Sequence, residues 1–259
     1  MARSILPSEN IHDEMFMAAP RRKSGVSAAV TFVIIIVSVI FVMSVSFRVS
    51  DISVTGNSHY TAQEIVNAIE IEEGDNLFFF DRFAAITRVF AKLPYISEVS
   101  IKRSLPNKVA ITVTESTAVA YMKIGSELWT MDEKCKILGK AADGEESTLM
   151  PITGFDAGTM FINETLSTAS GETRSVAYLK EVLYQIVERS LSYQVSKIDF
   201  SNTNDVRISY GGKYTIKLGD PYGTEKKFGL VLSAISQLKD GDIGIIDVTD
   251  GKNVIFSPY

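Results

Sequence analysis

From Gly25 to Phe47 the chain runs through 23 residues without one charged side chain, and Arg21-Arg22-Lys23 stands immediately before them. As a helix, that stretch extends roughly 34 Å at 1.5 Å per residue, enough to cross a hydrocarbon core of about 30 Å. It is apolar on every face and dominated by Val and Ile, unlike the one-sided stripe of a soluble helix. The chain is therefore organised around a membrane-spanning segment, with 24 residues before it and 212 after it.

Orientation follows from charge. Short Lys/Arg-rich flanks stay in the cytoplasm, and only Arg48 stands close on the far side, so the N-terminus is expected inside and the C-terminus outside. Ser44-Val45-Ser46 has the small-x-small form of a signal-peptide cleavage site. The apolar core of such a peptide runs about 7–15 residues, however, and Val26–Val45 is longer, which favours an uncleaved anchor.

The whole chain carries −5. Its first 24 residues hold four basic and three acidic side chains, which leaves the remainder near −6. That balance argues against nucleic acid as a partner, since binding a phosphate backbone calls for a clustered basic face. One cysteine, Cys135, permits no intrachain disulfide, so hydrophobic cores must hold the 212 residues, enough for one or two domains. Pro7, Pro20 and mixed charges mark residues 1–24 as a short disordered tail.

Beyond the span, residues 47–54 alternate apolar and polar as a strand does, and Gly56-Asn57 turns them. Thr61 and Glu64 stand at capping-box spacing, with Tyr60 placed to staple against Ile65. After Gly74, Asp81 is expected to cap a second helix carrying Phe83, Ile86, Phe90 and Leu93 on its apolar stripe; Phe78, Phe83, Phe90 and Leu93 are assigned to the core. Two strands follow, around Val99 and Ile101 and around Val109 to Val113. This strand-helix-helix-strand-strand order resembles a POTRA domain, as do the runs Gly74-Asp-Asn76-Leu77-Phe78-Phe-Phe-Asp81, Leu93-Pro94-Tyr-Ile96 and Val99-x-Ile101-x-Arg103-x-Leu105-Pro106-Asn107.

The next segment is rich in strand patterns, from Ala118-Val-Ala-Tyr121 through Leu128-Trp129-Thr-Met131 to Lys136-Ile137-Leu138. A helix is expected over 173–192 with Val176, Leu179, Leu183, Ile186 and Val187 on one side. Val206, Ile208 and Tyr210 alternate, Gly211-Gly212 supplies a two-residue hairpin turn, and Tyr214, Ile216 and Leu218 return. A last helix carries Phe228 and Val231, and two short strands close the chain near 244–248 and 253–256. Met150-Pro151-Ile152-Thr153-Gly154 is similar to the Leu-Pro-x-x-Ser/Thr-Gly element of the FtsQ/DivIB family of bacterial cell-division proteins, and the resemblance extends over roughly residues 26–257. One departure is Glu115-Ser116-Thr117-Ala118, where the family commonly has Glu-Arg-x-Pro.

The expected fold is thus α+β: a single N-terminal transmembrane helix, a POTRA domain (β-α-α-β-β) and a second mixed antiparallel β/α domain. The expected partition is a cytoplasmic tail (1–24), the transmembrane helix (25–47), the POTRA domain (48–116), the second domain (117–257) and the C-terminal end (258–259).

Catalytic sets are missing. The histidines are His12 in the tail and His59, read as a solvated turn residue; with a lone Cys135, read as a small residue on a strand edge, they build no zinc site. An anchored transpeptidase of the thiol type would have to draw Cys135 and His59 from separate domains. Asp199-x-Ser201-x-Thr203-x-Asp205 resembles a calcium loop only by alternation; Asn204 and Tyr210 stand where such a loop needs Gly and a bidentate Glu, so a polar bend is expected. Asp220-Pro221-Tyr-Gly223 reads as a turn. No enzyme, cofactor, metal or small-molecule substrate is expected.

What remains is binding. Asn253-Val254-Ile255-Phe256 is β-prone and expected at a sheet edge, where an incoming strand can satisfy open amides and carbonyls. The resemblance implies that this last strand and the adjoining helix hold small bitopic FtsB/DivIC-like partners and, through them, FtsL, with indirect contact to the septal peptidoglycan synthase. It carries that role to Val254, Ile255 and Phe256, and to Lys252 and Asn253; core packing is the competing role for Val254 and Phe256. Tyr222, Lys226 and Lys227, at the start of the last helix, are candidates for meeting an acidic partner. The other reading of a POTRA-bearing anchored chain is a chaperone-like module in secretion, which would call for further POTRA repeats or a barrel.

Overall fold

In the computed structural model, residues 25–259 are described; the tail expected over 1–24 lies outside the described residues. The chain divides into two units, residues 1–46 and 47–259. In the first, α1 (Gly25–Ser46) is the long apolar helix, and its stretch Ser27–Ser46 has a mean hydropathy of 2.9 with no part of it buried. It stops one residue short of the expected end, because Phe47 belongs to the folded unit, where its ring meets Phe78 edge-on at 5.2 Å.

The second unit begins with β1 (Asp51–Thr55), α2 (Ala62–Ile69), α3 (Arg82–Lys92), β2 (Ile96–Ser104) and β3 (Lys108–Glu115). The sheet order is β1-β3-β2, with β1 parallel and β2 antiparallel to β3. Both expected helix starts form. The Thr61 hydroxyl accepts from the Glu64 amide at 3.2 Å while Glu64 accepts from the Thr61 amide at 2.8 Å. Asp81 accepts from the amides of Phe83 and Ala84. The core holds Ile65, Ile69, Leu77, Ile96, Val109 and Ile111.

The packed face of α3 differs from the expected one. Ala85 and Val89 are buried and Ile86 and Phe90 half-buried, whereas Phe83 is 73% exposed. Small residues at the contact let the helix approach its neighbours closely, and Phe83, in the first turn, projects away from them with the Arg82 guanidinium 5.4 Å from its ring centre.

The second domain is one mixed sheet of nine strands. Its strands are β4 (Ala120–Ile124), β5 (Glu127–Met131), β6 (Ile137–Lys140), β7 (Met150–Thr153), β8 (Val195–Asp199), β9 (Val206–Tyr210), β10 (Tyr214–Gly219), β11 (Gly244–Asp247) and β12 (Ile255–Pro258). The order is β12-β11-β10-β9-β8-β7-β4-β5-β6; the pairs β10/β11, β4/β7 and β7/β8 are parallel and the rest antiparallel. Two helices, α4 (Thr173–Glu188) and α5 (Thr224–Ile235), share its core with Ile198, Val206, Ile208 and Ile216. Along β9 the inward residues Val206, Ile208 and Tyr210 alternate with exposed Arg207 and half-buried Ser209, the pattern of a sheet with one wet face.

α4 ends at Glu188, four residues before the expected 192, where Ser190 takes a φ of 56° and the Leu191 amide returns to the Ile186 carbonyl at 2.9 Å. Its buried face is also wider, adding Tyr178, Val182 and Gln185. Gly154 ends β7 with a φ of 74°, and a Cβ there would fall into Ser201, so the glycine of the Met150–Gly154 run serves a close chain crossing.

Candidate partner-binding edge

β12 is the terminal strand of the nine-stranded sheet, two residues later than the stretch 253–256 read from the sequence. Asp250 sets that start. Its carboxylate accepts from the amides of Asn253 and Lys252 and from the Asn253 side chain, all at 2.8 Å, which curls residues 250–253 into a turn. These bonds hold the Asp250 carboxyl down at about 2. Lys252 and Asn253 therefore belong to the turn, and Val254 leads into the strand.

Register decides which groups of β12 are open. Phe256 lies opposite Ile246 and Ser257 opposite Ile245, and the Tyr259 amide donates to the Ile243 carbonyl at 3.1 Å. Because an antiparallel ladder alternates bonded and non-bonded pairs, Ser257 and Ile255 turn their backbone groups to β11. Phe256 turns its amide and carbonyl to the open side. Pro258 shares that outward phase, where its missing amide costs the ladder nothing.

Side chains alternate as well. Phe256 packs toward the core, 6.4 Å from the Tyr214 ring centre, and Val254 is half-buried, whereas Ile255 is 62% exposed. The edge thus offers backbone through Phe256 and an apolar side chain through Ile255.

The opposite edge is different. At β6 the Ile137 amide donates to Glu164, the Ile137 carbonyl accepts from Asn163, and Leu166 donates to Cys135. A loop covers the start of that edge, and β12 has no such cover among the described residues.

The start of α5 lies beside the β11–β12 turn, since a Cβ on Gly251 would sit 3.7 Å from Lys227 Cε. Lys227, expected at the surface, is 1% exposed. Its ammonium meets Asp220 Oδ1 and the Asp220 carbonyl, both at 2.9 Å, so it braces the 220–223 turn and has nothing left to present to a partner. Tyr222 is exposed beside Arg174, whose guanidinium lies 5.8 Å from its ring centre, and Lys226 is exposed.

A family model described as "POTRA domain, FtsQ-type" matches residues 47–116. The chain is 24% identical to the cell division protein DivIB of Clostridium botulinum (strain Hall) over 251 residues, 95% of this chain and 96% of that protein. It is 24% identical to Bacillus subtilis (strain 168) DivIB over 84% of this chain and 79% of that one. The cell division protein FtsQ of Streptomyces coelicolor is 30% identical over 44% of each. Along most of its length the chain is thus similar to DivIB and FtsQ cell division proteins, and residues 47–116 match an FtsQ-type POTRA domain.

Cys135 is not on a strand edge: it sits in the β5–β6 turn with a φ of 59°, wholly buried, and burial pushes its thiol up to about 12. A thiol so buried is no nucleophile at neutral pH. His59 is exposed but not merely solvated, since its ring stacks on Tyr95 at 3.9 Å and meets Tyr60 edge-on at 4.7 Å. In the 199–205 bend, Asp199 accepts from the Ser201 amide and hydroxyl and Asp205 pairs with Arg207, so these oxygens are spent locally. Among the described residues no cluster of His, Cys, Asp and Glu is placed to hold a metal ion.

The POTRA domain and the β-rich region that follows it are joined by polar contacts. Lys136 Nζ donates to the Pro94 and Ile96 carbonyls at 2.8 and 2.9 Å, and the Ser116 hydroxyl donates to Asp132, itself 4% exposed, at 2.9 Å. Ser116 belongs to the Glu115-Ser116-Thr117-Ala118 run, and its hydroxyl is the group of that run that reaches Asp132.

Proposed function

We propose that the chain is a single-pass, non-enzymatic scaffold of the bacterial cell-division machinery. Its N-terminus lies in the cytoplasm and its folded unit outside, gathered at the division septum. It holds FtsL- and FtsB/DivIC-like bitopic proteins and through them helps coordinate septal peptidoglycan synthesis. The working parts are a tail (1–24), anchor (25–47), POTRA domain (48–116) and second domain (117–257). The observation that carries this reading is the open margin of β12, with Phe256 presenting its backbone outward and Ile255 its side chain. β-Augmentation there needs no catalytic group, and a buried Cys135 and stacked His59 provide none.

The partner-binding residues in this reading are Val254, Ile255 and Phe256 on the strand, Lys252 and Asn253 in its turn, and Tyr222 and Lys226 at the start of α5. The test is capture of small bitopic division proteins by the full chain and by an Ile255→Glu variant. Ile255 is exposed, so the variant keeps its fold and is expected to lose capture. Undiminished capture by a folded Ile255→Glu chain would overturn the assignment.

A further inference from the structure

Three large apolar side chains stand in the open on the POTRA domain: Phe79 at 63% exposure, Phe83 at 73% and Leu105 at 66%. Phe79 lies on the segment joining α2 and α3, Phe83 in the first turn of α3 and Leu105 on the β2–β3 turn, and backbone bonds tie the segment before α3 and that turn to the first residues after the span. The Leu77 amide donates to Phe47 O at 2.8 Å, the Val49 amide to Asp75 O at 2.8 Å, and the Ser50 amide to Asn107 O at 2.9 Å. Phe47 directly follows the last residue of α1, and consecutive Cα atoms are about 3.8 Å apart. The polar layer of a bilayer is about 5–7 Å deep on each side, so covalent connection alone keeps residues 47–50 and what they hold close to it.

Charge matches that location. Arg82 lies over Phe83, Arg103 lies 4.7 Å from the Phe80 ring centre and donates to the Phe80 carbonyl, and Arg48 and Lys102 are exposed. The acids of the same stretch are engaged elsewhere: Asp81 caps α3, Asp75 accepts from the Glu72 amide, and Asp51 pairs with Lys108. Glu72 and Glu73 remain on the preceding turn. Bare aromatic rings beside arginines, on a unit whose overall charge is negative, fit a layer of phosphates over acyl chains.

We propose that Phe79, Phe83 and Leu105 seat in the headgroup–acyl boundary of the leaflet from which the chain emerges, with Arg82 and Arg103 at the phosphates. The POTRA domain then meets the membrane through these side chains as well as through the covalent link to α1. The proposal rests on α1 spanning a bilayer and asks nothing of β12.

The experiment uses the full chain in nanodiscs of phosphatidylglycerol and phosphatidylcholine, with an environment-sensitive fluorophore on Phe79→Cys, Phe83→Cys, Glu98→Cys or Ile40→Cys. Buried Cys135 in the unsubstituted chain gives the labelling background. Glu98 lies six residues along β2 from Ser104, about 20 Å at 3.3 Å per residue. Lipids brominated near the headgroup are expected to quench the labels at 79 and 83 severalfold more than the label at 98, and Ile40 is expected to be quenched by deeper bromines. Labels at 79 and 83 as water-exposed as the one at 98, or equal quenching of all three, would overturn the seated patch, a docked protein being the alternative occupant. An unquenched Ile40 would remove the anchor reading itself, and the proposal with it.

Discussion

The Lys227 ammonium lies 2.9 Å from Asp220 Oδ1, with the lysine side chain 1% exposed and the aspartate 42%. A buried cation at the start of α5 thus holds the turn that carries Tyr222, next to Gly251 in the turn before β12. Lys227→Met keeps the stem and removes the charge. Because water can still reach Asp220, the expected loss is at the lower end for a charged hydrogen bond, about 1–2 kcal/mol, read as a lower melting temperature in calorimetry. Contact with Lys227 holds the Asp220 carboxyl below the ordinary range. A depressed carboxyl stabilises above its unfolded value and loses that contribution as pH falls. The difference between wild type and Lys227→Met is therefore expected at neutral pH and to shrink below about pH 4.

Asp250 gives a sharper acid response at the edge itself. Its carboxyl sits at about 2 in the folded chain, against about 3.9 in an unfolded one. The turn before β12 is therefore expected to hold above pH 4 and to fray as pH falls toward 2. Asp250→Ala should fray it at neutral pH, with faster amide exchange at Lys252 and Asn253 and weaker partner capture, while exchange in β8 and β9 stays as it was.

Gly154→Ala tests the crossing after β7. At φ +74° with Ser201 against the site, an added methyl strains the backbone and collides with a neighbour. The expected cost is about 1–2 kcal/mol, or roughly 2–8 °C in the melting temperature of the second domain. An unchanged melt would contradict the assignment.

At the joint between the domains, Lys136→Met leaves the Pro94 and Ile96 carbonyls without their donor. Each domain should keep its core, and the distance distribution between spin labels on Glu98→Cys and Tyr193→Cys should broaden. Tyr193 is 99% exposed, so the label there disturbs nothing.

Much of the fold was legible where local chemistry and periodicity agree. Thr61, Glu64 and Asp81 announce their helices because a cap is made within three residues, and Val206 to Leu218 announce a hairpin because alternation and Gly211-Gly212 coincide, although Tyr210 pairs with Tyr214 and the loop takes Lys213 as a third residue beyond the two expected. Phe83 was misplaced because spacing reports apolarity, and burial was decided by the small contacts Ala85 and Val89. Lys227 was misplaced because the oxygens that hold it belong to a turn seven residues earlier, whose shape no local pattern states. The strand start was read two residues early because the Asp250 turn spends Asn253. The edge position of β12 matched the expectation, but the phase of its open groups needed the register with β11.

That phase gives the most direct measurement. Amide exchange across residues 254–257 is followed in the full chain with and without the ectodomain of an FtsB/DivIC-like protein. If an incoming strand pairs with β12, the Phe256 amide gains strong protection, and those of Ile255 and Ser257, already turned to β11, change little. Bound partner with an unprotected Phe256 amide would contradict strand pairing at this edge.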